Sequence, residues 1–337
     1  MRYIHLVLSD QLRITLVTAL APAIWGTTYL VTTELLPPDR PLLAAVVRAL
    51  PAGLLLMAIT RRLPHGVWWS RALVLGALNI GVFNALLFVA AYRLPGGVAA
   101  TVGAVQPLFA AGLSAVLLGE RLSLRTALAG VAGVGGVSLL VLRADARLDG
   151  LGVAAALGGA LVMAAGIVLA KRWPSPAPLL ATTGWQLVAG GLLMLPVALA
   201  VEGPPPTTLT AANLAGYAYL SLIGAALAYA LWFRGIRALS PTGVSFLGLL
   251  SPLVATALGL LVLGQRLNPL QAVGGLVVLA ALVAAQGRRQ SRQIPDKQKQ
   301  DKQTQDREQG SLHADHCVRS SGEHRSPSGR GGAVPRV

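Results

Sequence analysis

Ten apolar stretches of about 20 residues recur along this 337-residue chain, at 14–36, 42–60, 72–92, 97–118, 124–142, 150–170, 179–200, 212–233, 243–263 and 269–286. An α-helix rises 1.5 Å per residue and needs about 20 apolar residues to cross roughly 30 Å of hydrocarbon, so stretches of this length read as membrane spans. Several, such as 153–170 and 270–285, are apolar on every side, and a helix without a polar face belongs in lipid or in a protein core. Only 12% of the residues are charged, about half the usual share for a soluble globular protein. The expected class is therefore an all-α membrane protein of ten transmembrane helices.

The connections between stretches are short and hold the turn formers and charges, among them Pro37-Pro38-Asp39-Arg40-Pro41, Arg61-Arg62-Leu63-Pro64, Lys171-Arg172-Trp173-Pro174 and Gly203-Pro204-Pro205-Pro206. Short connections make neighbouring helices antiparallel. Loops therefore alternate between two sides, and cytoplasmic loops keep an excess of Lys and Arg. One set holds Arg2, Arg13, Arg61, Arg62, Arg71, Arg121, Arg125, Lys171, Arg172, Arg234 and Arg237; the other holds Arg40, Arg93, Arg143, Arg147 and Arg266. This bias predicts that both termini are cytoplasmic. The first stretch carries an Ala-x-Ala at 19–21 in the manner of a signal peptide, but Pro22 follows directly and the apolar run continues, so it reads as a retained span after a cytoplasmic segment 1–13.

From Gly287 the composition turns to Gln, Lys, Arg, Asp, Ser and Gly, which predicts a disordered, basic cytoplasmic tail over 287–337. The tail contributes +5 of the net charge of +15. Much of the remainder belongs to the loop bias, so no nucleic-acid partner is expected. The single cysteine, Cys317, excludes a disulfide scaffold, and the five histidines do not cluster inside an apolar segment, so neither a metal site nor a cofactor is expected. The expected partners are the lipid bilayer and a small-molecule substrate; a homodimer is left open.

Two distant segments match at an offset of 145 residues. Val105-Gln106-Pro107-Leu108 precedes Gly119-Glu120-Arg121-Leu122, and Leu250-Ser251-Pro252-Leu253 precedes Gly264-Gln265-Arg266-Leu267; Gly130 and Gly275 keep the register. The chain thus reads as two five-span halves, 14–142 and 150–286. An odd number of crossings per half inverts the second copy relative to the first, an arrangement of many secondary transporters. Pro107 and Pro252 fall near the middle of spans four and nine, where each removes an amide donor and crowds the carbonyl four residues earlier, that of Gly103 or Gly248. The expectation is a bend with a carbonyl freed at mid-depth, facing protein, water or substrate; a kink that only improves packing is the competing reading.

With these residues in view the chain resembles the EamA family of the drug/metabolite transporter superfamily. The resemblance rests on Trp25-Gly26-Thr27, Arg48, the stretch from Tyr92-Arg93-Leu94 through Gly97 to Pro107, Gly119-Glu120-Arg121-Leu122, and the second copy from Arg237-Ala238-Leu239 to Leu267. It implies ten helices, a bacterial inner-membrane location and export of metabolites, amino acids or drug-like compounds. Two departures are visible: Gln265 stands where the pattern has an acid, and the second counterpart of Trp25-Gly26 is reduced to Ala164-Ala165-Gly166.

The seven acids before the tail, Asp10, Glu34, Asp39, Glu120, Asp145, Asp149 and Glu202, all lie in loops or near span ends. Ion coupling through a carboxylate at mid-membrane is therefore not expected. Arg48, six residues into span two, is the buried-charge candidate, either paired with carbonyls or Glu34 or facing substrate. Uncharged polar groups that could bind substrate are Thr28, Asn79, Asn84, Thr101, Gln106, Gln186, Ser245 and Ser251, although a lone Ser or Thr commonly bonds its own backbone. Trp25, Trp185, Tyr229 and Trp232 add flat apolar surfaces, although Trp185 and Trp232 lie nearer span ends and also suit interfacial anchoring. Ala129-x-x-x-Gly133 and Ala132-x-x-x-Gly136 read as helix packing. A secondary transporter working by alternating access is the leading function. A receptor or scaffold acting through the tail is the alternative, and an intramembrane enzyme is remote because no His or acid stands at mid-span as a base.

Overall fold

The computed structural model describes residues 2–38, 40–94, 96–141, 149–262, 264 and 268–285. The tail at 287–337, the loop 142–148 and the Gln265-Arg266-Leu267 segment lie outside the described residues. All the regular structure among the described residues is helical: α1 (Arg2–Leu35), α2 (Pro41–Thr60), α3 (Trp68–Gly76), α4 (Val82–Arg93), α5 (Gly96–Gly103), α6 (Gln106–Leu118), α7 (Leu124–Val141), α8 (Gly150–Arg172), α9 (Leu179–Glu202), α10 (Ala211–Ser221), α11 (Ala228–Ala238), α12 (Pro241–Leu247), α13 (Leu250–Leu261) and α14 (Pro269–Ala285). The segment before the first apolar stretch is helical too, so α1 begins well ahead of residue 14.

Eight of the helical stretches are long and apolar enough to cross a membrane, and two shorter apolar helices, Leu124–Leu140 and Pro269–Ala285, stand fifth and tenth in order. At 1.5 Å per residue these two reach only about 25 Å, short of a typical hydrocarbon core. Outward-facing side chains such as Val116, Leu261, Leu276 and Val283 are exposed and apolar, as a lipid-facing surface requires.

Two stretches read as single spans contain a π-helical turn. Ala77–Gly81 joins α3 to α4, and Leu222–Leu227 joins α10 to α11. Their first residues, Ala77 and Leu222, are 145 apart. Further features keep the same spacing: Pro51 and Pro196 lie inside α2 and α9, and Gly119 and Gly264 both have positive φ, 67° and 63°. That left-handed conformation suits glycine, which has no Cβ to clash, and it ends α6 sharply. The helices that follow are capped alike. The Ser123 hydroxyl accepts from the Thr126 amide at 3.1 Å, and the Asn268 side chain accepts from the Gln271 amide at 2.8 Å. Each cap supplies an otherwise orphan amide with an acceptor, typically about 1 kcal/mol of helix stability.

Spans four and nine break where a bend was expected. A turn at Ala104–Val105 separates α5 from α6, and one at Gly248–Leu249 separates α12 from α13. Pro107 and Pro252 are the second and third residues of α6 and α13, where a missing amide costs little. The Gly248 carbonyl is not left free: the Ser251 amide bonds to it at 3.1 Å. Because Pro252 cannot donate, the chain tightens to a three-residue turn and the preceding amide takes its place. At Gly103, the last residue of α5, an added Cβ would meet nothing within 4 Å.

The halves interlock. α1 and α2 pack against α10, α11 and the second π turn, while α8 and α9 pack against α3, α4 and the first π turn. Lipid offers helices no hydrophobic reason to associate, so close approach of small residues must hold them. Gly136 and Gly274 supply such a contact between α7 and α14: a Cβ on Gly274 would come 2.6 Å from the Gly136 carbonyl oxygen. The largest buried cluster joins residues from both halves, among them Ala21, Leu56, Ile80, Ile167, Leu187, Trp232 and Phe246.

Side-chain ties sort the loops into two ends. At one end Lys171 donates to the Arg237 carbonyl at 2.6 Å, Arg172 to the Leu117 carbonyl, and the Trp185 indole to the Arg62 carbonyl at 2.7 Å. At the other, the Glu202 carboxylate caps α2 by accepting from the Leu42 and Leu43 amides at 2.6 and 2.9 Å, Asn213 donates to the Leu35 carbonyl at 2.9 Å, and Arg93 pairs with Asp149 at 3.7 Å. An anionic side chain at a helix N-terminus complements the helix dipole, as do the two cations that reach carbonyls at the C-terminal ends of α6 and α11. The basic loop set shares the first end.

Candidate functional site

The Gly224 carbonyl, in the second π turn, receives two donors from the opposite half. The Trp25 indole N–H of α1 donates to it at 3.1 Å and Nη2 of Arg48 of α2 at 2.9 Å. A guanidinium is too costly to leave unmatched at this depth. Of the two roles open to Arg48, the geometry supplies a carbonyl partner. Trp25 also packs its ring against Tyr229 and Trp232, with centroids 5.1 Å away in each case and tilts of 57° and 59°, and Tyr229 stacks on Phe233 at 5.8 Å. These separations fall in the favourable range for aromatic pairs. Asn84 of α4 donates to the Ile80 carbonyl at 2.7 Å and, like Arg48, lies near the Tyr229 hydroxyl. Trp25, Arg48, Asn84 and Tyr229 thus come together around Gly224.

Asn79 and Gln186 form a separate buried pair. Asn79, in the first π turn, donates through Nδ2 to Oε1 of Gln186 of α9 at 3.1 Å, and Gln186 donates to the Thr182 carbonyl at 3.2 Å. Both are almost fully buried. Gly166 of α8 lies against the Asn79 amide so closely that a Cβ there would collide with it.

The hydroxyls of Thr28, Thr101 and Ser245 are buried with no hydrogen-bond partner, contrary to the expectation that they bond their own backbone. Gln106 opens α6 directly after the break, and Ser251 lies early in α13, where its carbonyl would be 2.8 Å from a Cβ on Gly26. No hydrogen bond among the described residues ties Gln106, Thr101, Ser245 or the Ser251 side chain to the group around Gly224.

Burial decides between the two readings of Trp185 and Trp232. Trp232 is only 1% exposed and packs on Trp25, and Trp185 is 3% exposed with its indole bonded to Arg62, so neither is an interfacial anchor. Counting from span ends could not separate the two readings, because the Arg-rich ends carry inward as well as outward faces. The Trp232 Nε1 is itself buried without an acceptor. The sequence reasoning also missed Gly224, Phe233, the Thr27–Tyr219 hydroxyl contact at 2.7 Å and the bond from Arg237 to Thr182 at 2.9 Å. A signal for the first was at hand: adding the repeat offset to Asn79 and Asn84 lands on Gly224 and Tyr229.

Residues 12–142 and 150–285 each match the EamA-like transporter family. Protein PecM of Dickeya dadantii (strain 3937) is 50% identical over 268 residues, covering 79% of this chain and 90% of that protein. An uncharacterized inner membrane transporter, YedA of Escherichia coli (strain K12), is 30% identical over 276 residues, covering 79% of this chain and 88% of its own length. A protein of known crystal structure, 18% identical, superposes with a TM-score of 0.69 over 81% of this chain and 97% of that one, a likeness of fold.

Proposed function

The chain belongs to the EamA-like transporter family, and is accordingly a multi-pass membrane transporter; from that premise we propose that it is a secondary transporter of the bacterial inner membrane that exports small metabolites, amino acids or amphipathic drug-like compounds by alternating access. The observation that carries this reading is the joint at Gly224, where a π turn of one half is held by Trp25 and Arg48 of the other. Two such interlocked halves, inverted in a ten-crossing bundle with both termini in the cytoplasm, can rock about their contact and expose one site to each side in turn.

In this reading Trp25, Thr28, Arg48, Asn79, Asn84, Thr101, Gln106, Gln186, Tyr229, Ser245 and Ser251 bind substrate, and the breaks at Gly103–Pro107 and Gly248–Pro252 act as hinges. The partnerless hydroxyls of Thr28, Thr101 and Ser245 support a solvated route. Comparing the metabolites retained by cells with and without the protein, then measuring flux of the candidates in liposomes with and without a proton gradient, tests the proposal. A purified protein that moves none of them refutes it. Deleting residues 288–337 leaves flux intact if the chain is a transporter and abolishes function if it is a receptor acting through its tail.

A further inference from the structure

The guanidinium of Arg71 lies against two indoles at the basic end of the bundle. Its Cζ stands over the rings of Trp68 and Trp173, 5.5 and 5.4 Å from their centroids, so α3 meets the turn after α8 through one cation and two rings. Trp68 in turn packs on Trp185, with centroids 6.3 Å apart, and the Trp185 indole donates to the Arg62 carbonyl at 2.7 Å. That chain of contacts fixes the Arg61–Arg62 turn close to the rings, with both arginines exposed. A cation–π contact uses a ring face; it takes up no N–H and cancels no charge. Among the described residues Arg71, itself half-buried, has no hydrogen-bond or ion-pair partner, so its planar fork of donors stays available to an anion. Its own stretch of chain offers none, since the sequence from Arg40 to Gly119 contains no acid.

We propose that Arg71, steadied by Trp68 and Trp173, holds the phosphate of an anionic phospholipid at the surface of the bundle. The depth fits: the apolar stretch Trp68–Leu87 begins three residues before Arg71, so the guanidinium lies in the first turn of a span, where lipid phosphates meet a membrane protein. Trp69, 59% exposed, suits the same layer. Val67, Arg71 and Val74 are spaced i, i+4, i+7 on one face of α3, and both valines are exposed, so the cation is set in an apolar stripe against which an acyl chain can lie. A free phosphate gains nothing from that stripe, whereas an amphiphile does. Guanidinium and phosphate pair through two parallel, charge-assisted bonds, and rings that fix the plane of the guanidinium reduce the ordering that such a pair requires. Arg61 and Arg62 add attraction for an anionic headgroup and disfavour one that ends in a cation. The site needs only a bundle embedded in a bilayer, and it stands apart from whatever solute the bundle moves.

The test titrates dioleoylphosphatidylglycerol and dioleoylphosphatidylcholine into the full chain in detergent and follows bound lipid by native mass spectrometry. The anionic lipid should bind at least about fivefold more tightly than the zwitterionic one. Arg71→Gln should reduce that preference to within about twofold. Charge alone would give the same loss in Arg121→Gln, an exposed arginine at the same end, which should instead keep the wild-type preference. Trp173→Leu removes one ring without changing the charge and should lower the preference at least about twofold. Monodisperse elution and wild-type thermal unfolding establish that a variant is folded; should Arg71→Gln or Trp173→Leu fail this, Arg71→Lys, which keeps the charge and loses the planar fork, takes its place and should also lower the preference at least about twofold. Equal binding of the two lipids, matching losses in Arg71→Gln and Arg121→Gln, or an unchanged preference in Trp173→Leu overturns the inference. Excess inorganic phosphate should leave the bound lipid in place; displacement would make free phosphate the ligand and refute the lipid assignment.

Discussion

Asn79 and Gly224 stand 145 residues apart, and each is the third residue of a π turn that joins two consecutive helices. The equivalence is positional and the chemistry differs. Asn79 ties its turn to α9 through its side chain, by the bond to Gln186. Gly224 has no side chain to offer, so its carbonyl becomes the acceptor for Trp25 and Arg48. One joint is therefore tied by a bond between two side-chain amides and the other by a backbone carbonyl that faces two donors.

The amide pair gives a direct stability prediction. Asn79→Ala and Gln186→Ala each remove one side of a buried bond and should each cost about 1 kcal/mol. Their combined cost should fall below the sum by roughly 0.6–1.7 kcal/mol, the range for interhelical hydrogen bonds in lipid. Denaturant-induced unfolding of the two single variants and the double variant measures this coupling. Strict additivity would mean that the two amides do not interact.

Small residues in α6, α7 and α14 separate into two classes. Gly136→Val or Gly274→Val should prevent α7 and α14 from approaching, because the new atoms meet backbone that cannot yield. Gly112→Ala and Gly135→Ala meet nothing within 4 Å and should be neutral or stabilising by up to about 1 kcal/mol through better helix propensity. Thermal unfolding in detergent distinguishes the classes, and equal losses in all four would show that the helix contact at Gly136 and Gly274 is unimportant.

The helical, membrane-spanning character of the chain was legible because lipid demands long unbroken apolar runs, and these are visible without any alignment of relatives. The π turns were not. An i→i+5 turn differs from an i→i+4 turn in backbone geometry alone, and Ala77–Gly81 and Leu222–Leu227 contain no residue type that announces it. The prolines were visible, but whether a chain bends or breaks depends on which amide can reach the orphaned carbonyl, as Ser251 does for Gly248. Within the site, Trp25, Arg48, Asn84 and Tyr229 stood out as polar or aromatic residues in apolar surroundings. Gly224 did not, because its contribution is a carbonyl that every residue possesses and only the fold aims.

Trp25 contributes both a ring and an N–H, and two substitutions separate them. Trp25→Phe keeps an aromatic surface against Tyr229 and Trp232 but removes the donor to Gly224, and should cost about 1 kcal/mol. Trp25→Ala also removes two aromatic contacts and should cost roughly 1–3 kcal/mol more. If Phe and Ala destabilise the protein equally in chemical unfolding, the ring contacts carry no weight in the folded bundle.

The proposed inverted, ten-crossing topology predicts which loops share a side. Arg62 and Arg121 are exposed at the end where Lys171, Arg172 and Trp185 tie the loops together; Pro38 and Thr208 are exposed in loops at the opposite end, near the Glu202 cap of α2. With Cys317 replaced by Ser, a single cysteine at Pro38 or Thr208 should react with a membrane-impermeant maleimide in intact cells. A cysteine at Arg62 or Arg121 should react only after permeabilisation if, as proposed, the basic end lies in the cytoplasm. The placement of Arg121 carries the most information. It follows α6 and precedes the short α7, so its side depends on four crossings before it, and its agreement with Arg62 requires the broken span α5–α6 to traverse fully. Labelling of Arg121→Cys from outside, with Arg62→Cys protected, would mean that the chain re-enters at the break, and the paired inverted halves would have to be abandoned.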